Sequence, residues 1–324
     1  MLSLPLSLAC ATDEPIALDR ATAEKFTREG AGATVDTPPP RIVAVGDVHG
    51  DPAALLHVLS LAGLVDPHGT WTGGAATLVQ TGDITDRGPD SRGVIAALRR
   101  LQAEAAAAGG QVVPLLGNHE VMNMQGDLRY VNPEDTLGYG GEAARAAAFS
   151  PAGDDGKWLR GNDAVAMIDG TAFCHGGVTP RWAAAGVLRL NQMVRAAIDT
   201  PAPGPGEPRI GLADVLGPDG PLWYRGYLLE EEPVACKELD HALQVLGAER
   251  LVVGHTTQES GEVAVRCGGR LYGIDTGISA HYGNHYAALE IRGDEIAILP
   301  PASASVPLQP PSALRPTTAP AESR

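Results

Sequence analysis

Aspartate, histidine and asparagine recur in five short tracts of this chain: Gly46-Asp47-Val48-His49-Gly50, Gly82-Asp83-Ile84-Thr85-Asp86-Arg87-Gly88, Gly117-Asn118-His119-Glu120, His175-Gly176-Gly177 and Gly254-His255-Thr256. Imidazole, carboxylate and amide oxygen together suit borderline divalent ions such as Mn, Fe or Zn better than Mg or Ca. Asp47 and His49 are two residues apart, so both can turn to one ion. Such donors serve metal-assisted hydrolysis, provided that distant segments meet at one point.

The elements between the tracts supply that meeting point. Each tract begins where an apolar, β-branched run stops, at Ile42–Val45, Thr77–Val79, Val112–Leu116, Thr171–Phe173 and Leu251–Val253. These runs read as buried strands, and the tracts as loops at their carboxyl ends. Ligand sites of open α/β sheets lie along that edge. After the first tract, Asp51 fits an N-cap with Pro52 at the first helical position, and Leu55, Leu56, Leu59 and Ala62 make one apolar face. A second helix is expected from Pro89, with Val94, Leu98 and Leu101 on its face and Gly109-Gly110 ending it. A third is expected from Glu238 to about Leu246. The alternation implies right-handed βαβ crossovers. Segments Val121–Arg160 and Pro180–Leu222 are less regular, apart from an Ala-rich helical stretch at Glu142–Phe149. They are expected to lie over the metal edge and shape substrate choice.

The ordered set GDxHG, GDxxDRG, GNHE, HGG and GHT resembles the calcineurin-like metallophosphoesterases, and within them the phosphoprotein phosphatase superfamily. The resemblance runs from about Arg41 to about Ile298. Gly117–Val131, GNHEVMNMQGDLRYV, with Leu222-Trp223-Tyr224-Arg225, narrows it to the Shewanella-like branch of bacterial and plant phosphatases. It implies an α/β fold, a four-layer α/β/β/α sandwich with two mixed β-sheets. Position by position it implies two divalent ions, with Mn favoured in vitro and Fe or Zn as alternatives. Asp47, His49 and Asp83 would hold one, and Asn118, His175 and His255 would complete the second, with Asp83 bridging. His119, oriented by Asp86, would protonate the leaving oxygen. Arg87, Asn118 and Arg225 would contact phosphate, with Arg129 a weaker candidate. The implied reaction is phosphomonoester hydrolysis by direct attack of metal-bound hydroxide, and the branch favours protein phosphatase activity with a leaning to phosphotyrosine. A dinucleoside polyphosphate pyrophosphohydrolase shares the same motifs and is the nearest alternative; a broad-specificity phosphatase and a metal-binding regulatory module without catalysis are others.

Single tracts have structural readings too. Asp86-Arg87 could be a surface ion pair, worth ~0–1 kcal/mol. Gly-Asn-His-Glu could be a turn followed by a helix-terminal charge. Asp275 could hydrogen-bond a metal-bound His or stabilise a turn. His57, His68, His241, His281 and His285 fall outside the tracts and read as surface or supporting residues. Substrate choice is expected from Met122, Met124, Tyr130, Tyr139, Trp158, Trp182 and Tyr224, or these residues pack a lid.

The chain has 324 residues, 44% of them hydrophobic, enough for a sizeable core. The expected organisation is a signal segment and extended spacer over 1–40, a catalytic domain over 41–299 and a Pro/Ala/Ser-rich, disordered tail over 300–324. A net charge of −15 argues against nucleic acid or a membrane surface as partner. It leaves a phosphorylated protein or small phosphomonoester as substrate once bound metal is counted. No stretch reaches the ~18–20 apolar residues of a membrane span. Met1–Ala11, MLSLPLSLACA, is apolar and offers Ala9-Cys10-Ala11 as a cleavage site, though it lacks a basic start. Export to the periplasm is therefore expected, with a cytoplasmic protein as the alternative. Cys174 reads as a buried thiol. Cys236 and Cys267 could pair in an oxidising compartment, but unpaired thiols are the preferred reading.

Overall fold

A computed structural model describes residues 39–200 and 211–300. The expected signal segment, most of the spacer, the Pro201–Gly206 loop and the tail from 301 lie outside the described residues. Among the described residues ten strands form two sheets: β1 (Ile42–Val45), β2 (Thr77–Gln80), β3 (Gln111–Pro114), β4 (Val165–Ile168), β5 (Thr171–Cys174), β6 (Arg250–Val253), β7 (Ala264–Arg266), β8 (Leu271–Gly273), β9 (Ala288–Arg292) and β10 (Glu295–Leu299). One sheet has the order β10-β9-β1-β2-β3 and the other β4-β5-β6-β8-β7. Both are mixed. The inner strands β1, β2 and β3 run parallel, as do β5, β6 and β8, while β9, β10, β4 and β7 pair antiparallel.

The layering follows from strand alternation. Successive side chains point to opposite faces of a sheet. In β1, Ile42 and Ala44 join an inter-sheet core with Val79, Phe173, Val252, Ile274, Leu289 and Ile291. Val43 and Val45 instead pack with Leu55, Val58, Leu59, Val94 and Leu98 of the covering helices. In β6, Val252 faces the other sheet while Leu251 and Val253 face helices. Strands buried on both faces need continuous apolar runs, which explains why β1 reads IVAV. Each fully buried Ile, Leu or Val contributes roughly 1.5–3 kcal/mol, which favours this α/β/β/α arrangement over any exposure of a sheet face.

Helix Pro52–Leu61 starts as its cap predicts: the Asp51 side chain accepts from Ala54 N at 2.9 Å, with Pro52 in the first turn. The second helix spans Ser91–Ala107, two residues later than Pro89, because Asp90 is its cap and accepts from Gly93 N at 2.7 Å. Gly109, at φ 80°, turns the chain out of it. The third spans Glu232–Leu246 and starts six residues before Glu238. Its signal was Pro233, which fits a first turn and no later position. Segment 121–160 is mostly helical, through Asn118–Met124, Pro133–Gly138, Glu142–Phe149 and Asp154–Gly161. Among the described residues no helix is long and apolar enough to cross a membrane.

One expectation is corrected. Cys236 and Cys267 form a disulfide, with Cα atoms 5.3 Å apart. It ties helix Glu232–Leu246 to the turn after β7. The two residues are 31 apart in sequence, and only the return of the chain through β6 and β7 brings them together. Closing a loop of that length stabilises the fold by roughly 3–4 kcal/mol in the chain-entropy picture. Cys174 is a buried free thiol, as expected.

Candidate functional site

Five loops meet at the carboxyl edge of the parallel strands, after β1, β2, β3, β5 and β6. Asp83 stands at the centre. Its Oδ2 lies 3.2 Å from His175 Nε2, 3.7 Å from His49 Nε2 and 3.8 Å from His119 Nε2. Asn118 Oδ1 lies 2.9 Å from His175 Nε2. Asp47 Oδ2 is 3.9 Å from His49 Nε2, and both its oxygens accept from His255 N at 3.2 Å. Two groups of three donors share Asp83: one with His49 and His119, the other with His175 and His255.

Backbone carbonyls aim the imidazoles. His49 Nδ1 faces Thr85 O at 3.1 Å and His175 Nδ1 faces Thr81 O at 2.9 Å. A carbonyl can only accept, so Nδ1 of each ring carries a hydrogen, and Nε2 is the nitrogen turned toward Asp83. His255 is the reverse: Nε2 donates to Trp223 O at 3.2 Å, which leaves Nδ1 as the ligand atom. Second contacts of this kind fix ring orientation in metal sites.

Glu120 has a role that its place after His119 in the sequence does not reveal. It is fully buried and accepts from Gly117 N, Asp83 N, Ile84 N, Thr85 N and Thr85 Oγ1 at 2.8–3.1 Å. It is a brace for the Asp83 loop rather than a helix-terminal surface charge. Motif glycines make room for the carboxylates: a Cβ on Gly117 would collide with Asp83, and one on Gly254 with Asp47. His49, Asp83, Asp86, Arg87 and His255 all adopt positive φ. Non-glycine residues rarely hold that conformation, and it costs of order 1–3 kcal/mol each unless the surroundings impose it.

Charge is crowded here. Burial, then Asp275 and Asp83, push Asp47 well above the usual carboxylate range, and burial raises Asp275 and Glu120. Burial works against ionised Asp83 too, yet His175 and then His119 hold it well below that range. Burial lowers His49 to about 4 and keeps His255 well below its ordinary value, so both are neutral imidazoles. Neutral imidazoles and a surplus of buried carboxylates are what a divalent cation requires. The residues present therefore fit metal ions.

His119 differs from the other three. Its Nδ1 lies 2.7 Å from Asp86 Oδ2. Burial alone would lower its pKa, but the Asp83 carboxylate and then Asp86 raise it to about 8. A cation on Asp83 would cancel that carboxylate's share and leave the Asp86 share. Arg87, Arg225, Tyr130, Trp223 and Tyr282 line the same pocket, a cavity of about 100 Å³. Arg87 stacks on the Tyr130 ring at 4.0 Å, and its Nε is buried with no hydrogen-bond partner. Arg225 donates to His255 O at 2.6 Å. Arg129 is not brought in: its side chain is 64% exposed and pairs with Asp127 at 2.6 Å.

Of the expected specificity residues, only Tyr130 lines the pocket. Trp158 donates to Gln102, Trp182 to Asp219 O, and Tyr139 to Asp155, while Tyr224 bonds Glu238. These four pack the covering segments. Tyr282 comes instead from the turn before β9, its ring 5.1 Å from that of His49. Asp51 Oδ2 accepts from Ala280 N at 3.0 Å and so anchors that turn. Asp275 takes the turn role, accepting from Thr257 Oγ1 at 2.6 Å and Gly277 N at 3.2 Å.

The calcineurin-like phosphoesterase model matches residues 40–259. An uncharacterised protein of Schizosaccharomyces pombe is 40% identical over 78% of this chain and 77% of its own length. Shewanella-like protein phosphatase 2 of Arabidopsis thaliana is 32% identical over 79% of this chain and 76% of its own. Among solved structures, the cold-active protein-tyrosine phosphatase of a psychrophilic Shewanella superposes with a TM-score of 0.71 at 30% identity, over 80% of this chain and 77% of that one. The chain belongs to the calcineurin-like phosphoesterases, and its homologues there include Shewanella-like protein phosphatases.

Proposed function

We propose that this protein is a dinuclear-metal phosphomonoesterase acting on phosphorylated protein, with a preference for phosphotyrosine. The observation that carries the reading is that two donor groups share Asp83 beside the His119–Asp86 pair, in the pocket that also holds Arg87 and Arg225. Asp47, His49 and Asp83 would hold one ion; Asp83, Asn118, His175 and His255 would hold the other. His119 lies within reach of the first group, but its Nδ1 is bound to Asp86 at 2.7 Å as a proton donor to the leaving oxygen requires, and Asp47, whose Oδ2 lies 3.9 Å from His49 Nε2, takes its place beside the first ion. Bound there, the two ions would supply a water acidic enough to act as nucleophile at neutral pH, and positive charge beside the phosphoryl oxygens.

The chain's own residues do the rest. Arg87 and Arg225 bind phosphate oxygens from the pocket wall, Arg87 with an Nε that has no protein partner. Asn118 Oδ1 is committed to the donor group, and its amide nitrogen, now 3.9 Å from the weak acceptor Met122 Sδ, would exchange that contact for a phosphate oxygen. His119 holds a proton on Nε2 for the leaving oxygen, and Asp86 fixes the ring through Nδ1. Tyr130 and Tyr282 flank the pocket as aromatic walls, and ring pairs contribute ~0.5–1.5 kcal/mol beyond area burial. The preference also accords with the Shewanella relative named a protein-tyrosine phosphatase. A phosphotyrosyl peptide should exceed a phosphoseryl peptide by at least ~10-fold in kcat/KM, a difference of ~1.4 kcal/mol. Tyr282→Ala should erase most of that ratio. Equal rates on the two peptides would leave a broad phosphatase. A dinucleoside tetraphosphate should be poorer still, because among the described residues two guanidinium groups, those of Arg87 and Arg225, line the pocket, too few to match the charge of four phosphates. Faster cleavage of the dinucleotide would overturn the protein-phosphatase reading.

We also propose export. The Cys236–Cys267 disulfide supports an oxidising compartment, as does the apolar start of the sequence. Fractionation with N-terminal sequencing should find a processed chain outside the cytoplasm; an unprocessed cytoplasmic chain with both thiols free would refute the idea.

A further inference from the structure

The Ala-rich helix Glu142–Phe149 carries one charged side chain into the protein interior. Arg145 is 2% exposed, among the largest fully buried side chains of the fold. Its guanidinium rests on the Phe149 ring at 4.5 Å. Nε donates to Asp135 Oδ2 at 2.8 Å, and Nη1 donates to Asn123 Oδ1 at 2.5 Å. Nη2 has no hydrogen-bond partner; it lies 3.5 Å from Asp86 Oδ1. Asn123 Nδ2 in turn donates to Asp86 Oδ1 and to His119 O, both at 2.8 Å.

Neutralising Asp135 would use one edge of the guanidinium and would not explain the rest. Arginine can only donate, so its bond to Asn123 can only go to the amide oxygen. That turns the Asn123 NH₂ toward Asp86 and excludes the flipped amide, whose oxygen would face the carboxylate. Asp86 Oδ1 is then occupied by Asn123 and the Arg145 charge, which leaves Oδ2 for His119 Nδ1. The same positive charge offsets the burial of the Asp86 carboxylate, whose uncompensated burial is costly. The Arg145, Asn123, Asp86, His119 sequence therefore has a single hydrogen-bond polarity, and it leaves His119 Nε2 facing the pocket.

We propose that Arg145 is a positioning residue for the proton donor His119, acting through Asn123 and Asp86. The proposal rests on the reading of His119 as general acid. It predicts that loss of Arg145 is felt most where the leaving group needs a proton. Arg145→Met keeps length and removes charge and donors; its kcat should fall by ~10-fold or more on an alkyl phosphate, within the range for impaired proton donation. The fall on p-nitrophenyl phosphate should be no more than about one third of that, and KM should change little. In a His119→Asn background the Arg145→Met loss should largely vanish, since residues acting in one chain are not additive. Asn123→Ser, which leaves the Asp135 pair intact, should reproduce the leaving-group dependence in milder form and serves if Arg145→Met folds poorly by circular dichroism. Arg145→Lys should recover part of the alkyl-phosphate rate.

Outcomes separate the two claims. If His119→Asn itself loses both substrates equally, the general-acid reading fails. If His119→Asn shows the leaving-group dependence but Arg145→Met and Asn123→Ser lose both substrates equally, or add in full to His119→Asn, then Arg145 is only structural and the proposal is overturned.

Discussion

Stripped of divalent metal and assayed in metal-free buffer, the protein should hydrolyse no p-nitrophenyl phosphate, and added Mn should restore it best. Asp83→Asn should be the most damaging ligand substitution, at ~10³-fold or more in kcat/KM, roughly 4 kcal/mol of transition-state stabilisation. The reason lies in the geometry. Asp83 Oδ2 approaches His49, His119 and His175 within 3.8 Å, and Asp83 belongs to both donor groups. Loss of its charge weakens two sites at once, whereas His49→Asn or His255→Asn weakens one. Metal content should follow the same order, with Asp83→Asn losing more bound metal per chain than either single-site variant. Circular dichroism must show the variant folded, because Glu120 binds the same loop through backbone N–H groups and should hold it. Full activity in protein shown to be metal-free would end the dinuclear reading.

His119→Asn should separate substrates by leaving group. For a poor alkyl leaving group the loss should be ~10²–10⁴-fold, the usual range for an absent proton donor. For p-nitrophenol, which departs without help, it should be much smaller. Asp86→Asn should follow the same pattern more mildly. Asp86 touches the imidazole at Nδ1, 2.7 Å away, and sets its tautomer without meeting substrate. The measurement is kcat on matched alkyl and p-nitrophenyl phosphates for each variant. Equal losses on both would mean that His119 contacts phosphate and transfers no proton.

The strands and the loops that carry the site were legible in the sequence because their causes are local. β1 was found at its observed limits, and the strands before Asp83, His175 and His255 to within one residue at each end. A buried strand needs an unbroken apolar run, and a strand-end loop needs glycine. Helix starts were less legible: Pro89 looked like a beginning, but Asp90 is the residue whose side chain caps a free N–H. The candidate donors Asp47, His49, Asp83, Asn118, His175 and His255 could be named because the five tracts, in their order, resemble those of the phosphoprotein phosphatases, whose pattern assigns them position by position.

By itself, then, the sequence determined the strands, the loops that carry the candidate donors and the apolar faces that bury those strands. Tertiary structure alone decided what surrounds those donors. Glu120 became a brace because the Asp83 loop, 37 residues away, turns its N–H groups onto it. Tyr282 reached the pocket on the turn before β9, which Asp51 ties down, while Tyr139 is held by Asp155 and Trp158 by Gln102 in the covering segments. Arg129 stayed outside, since Asp127, two residues before it, satisfies its charge at the surface. Cys236 met Cys267, and Arg145 met Asp86, through folding of intervening segments whose periodicity says nothing of such pairs. Periodicity and caps express energies between near neighbours along the chain. Bracing, pairing and pocket walls express contacts between segments that only packing brings together.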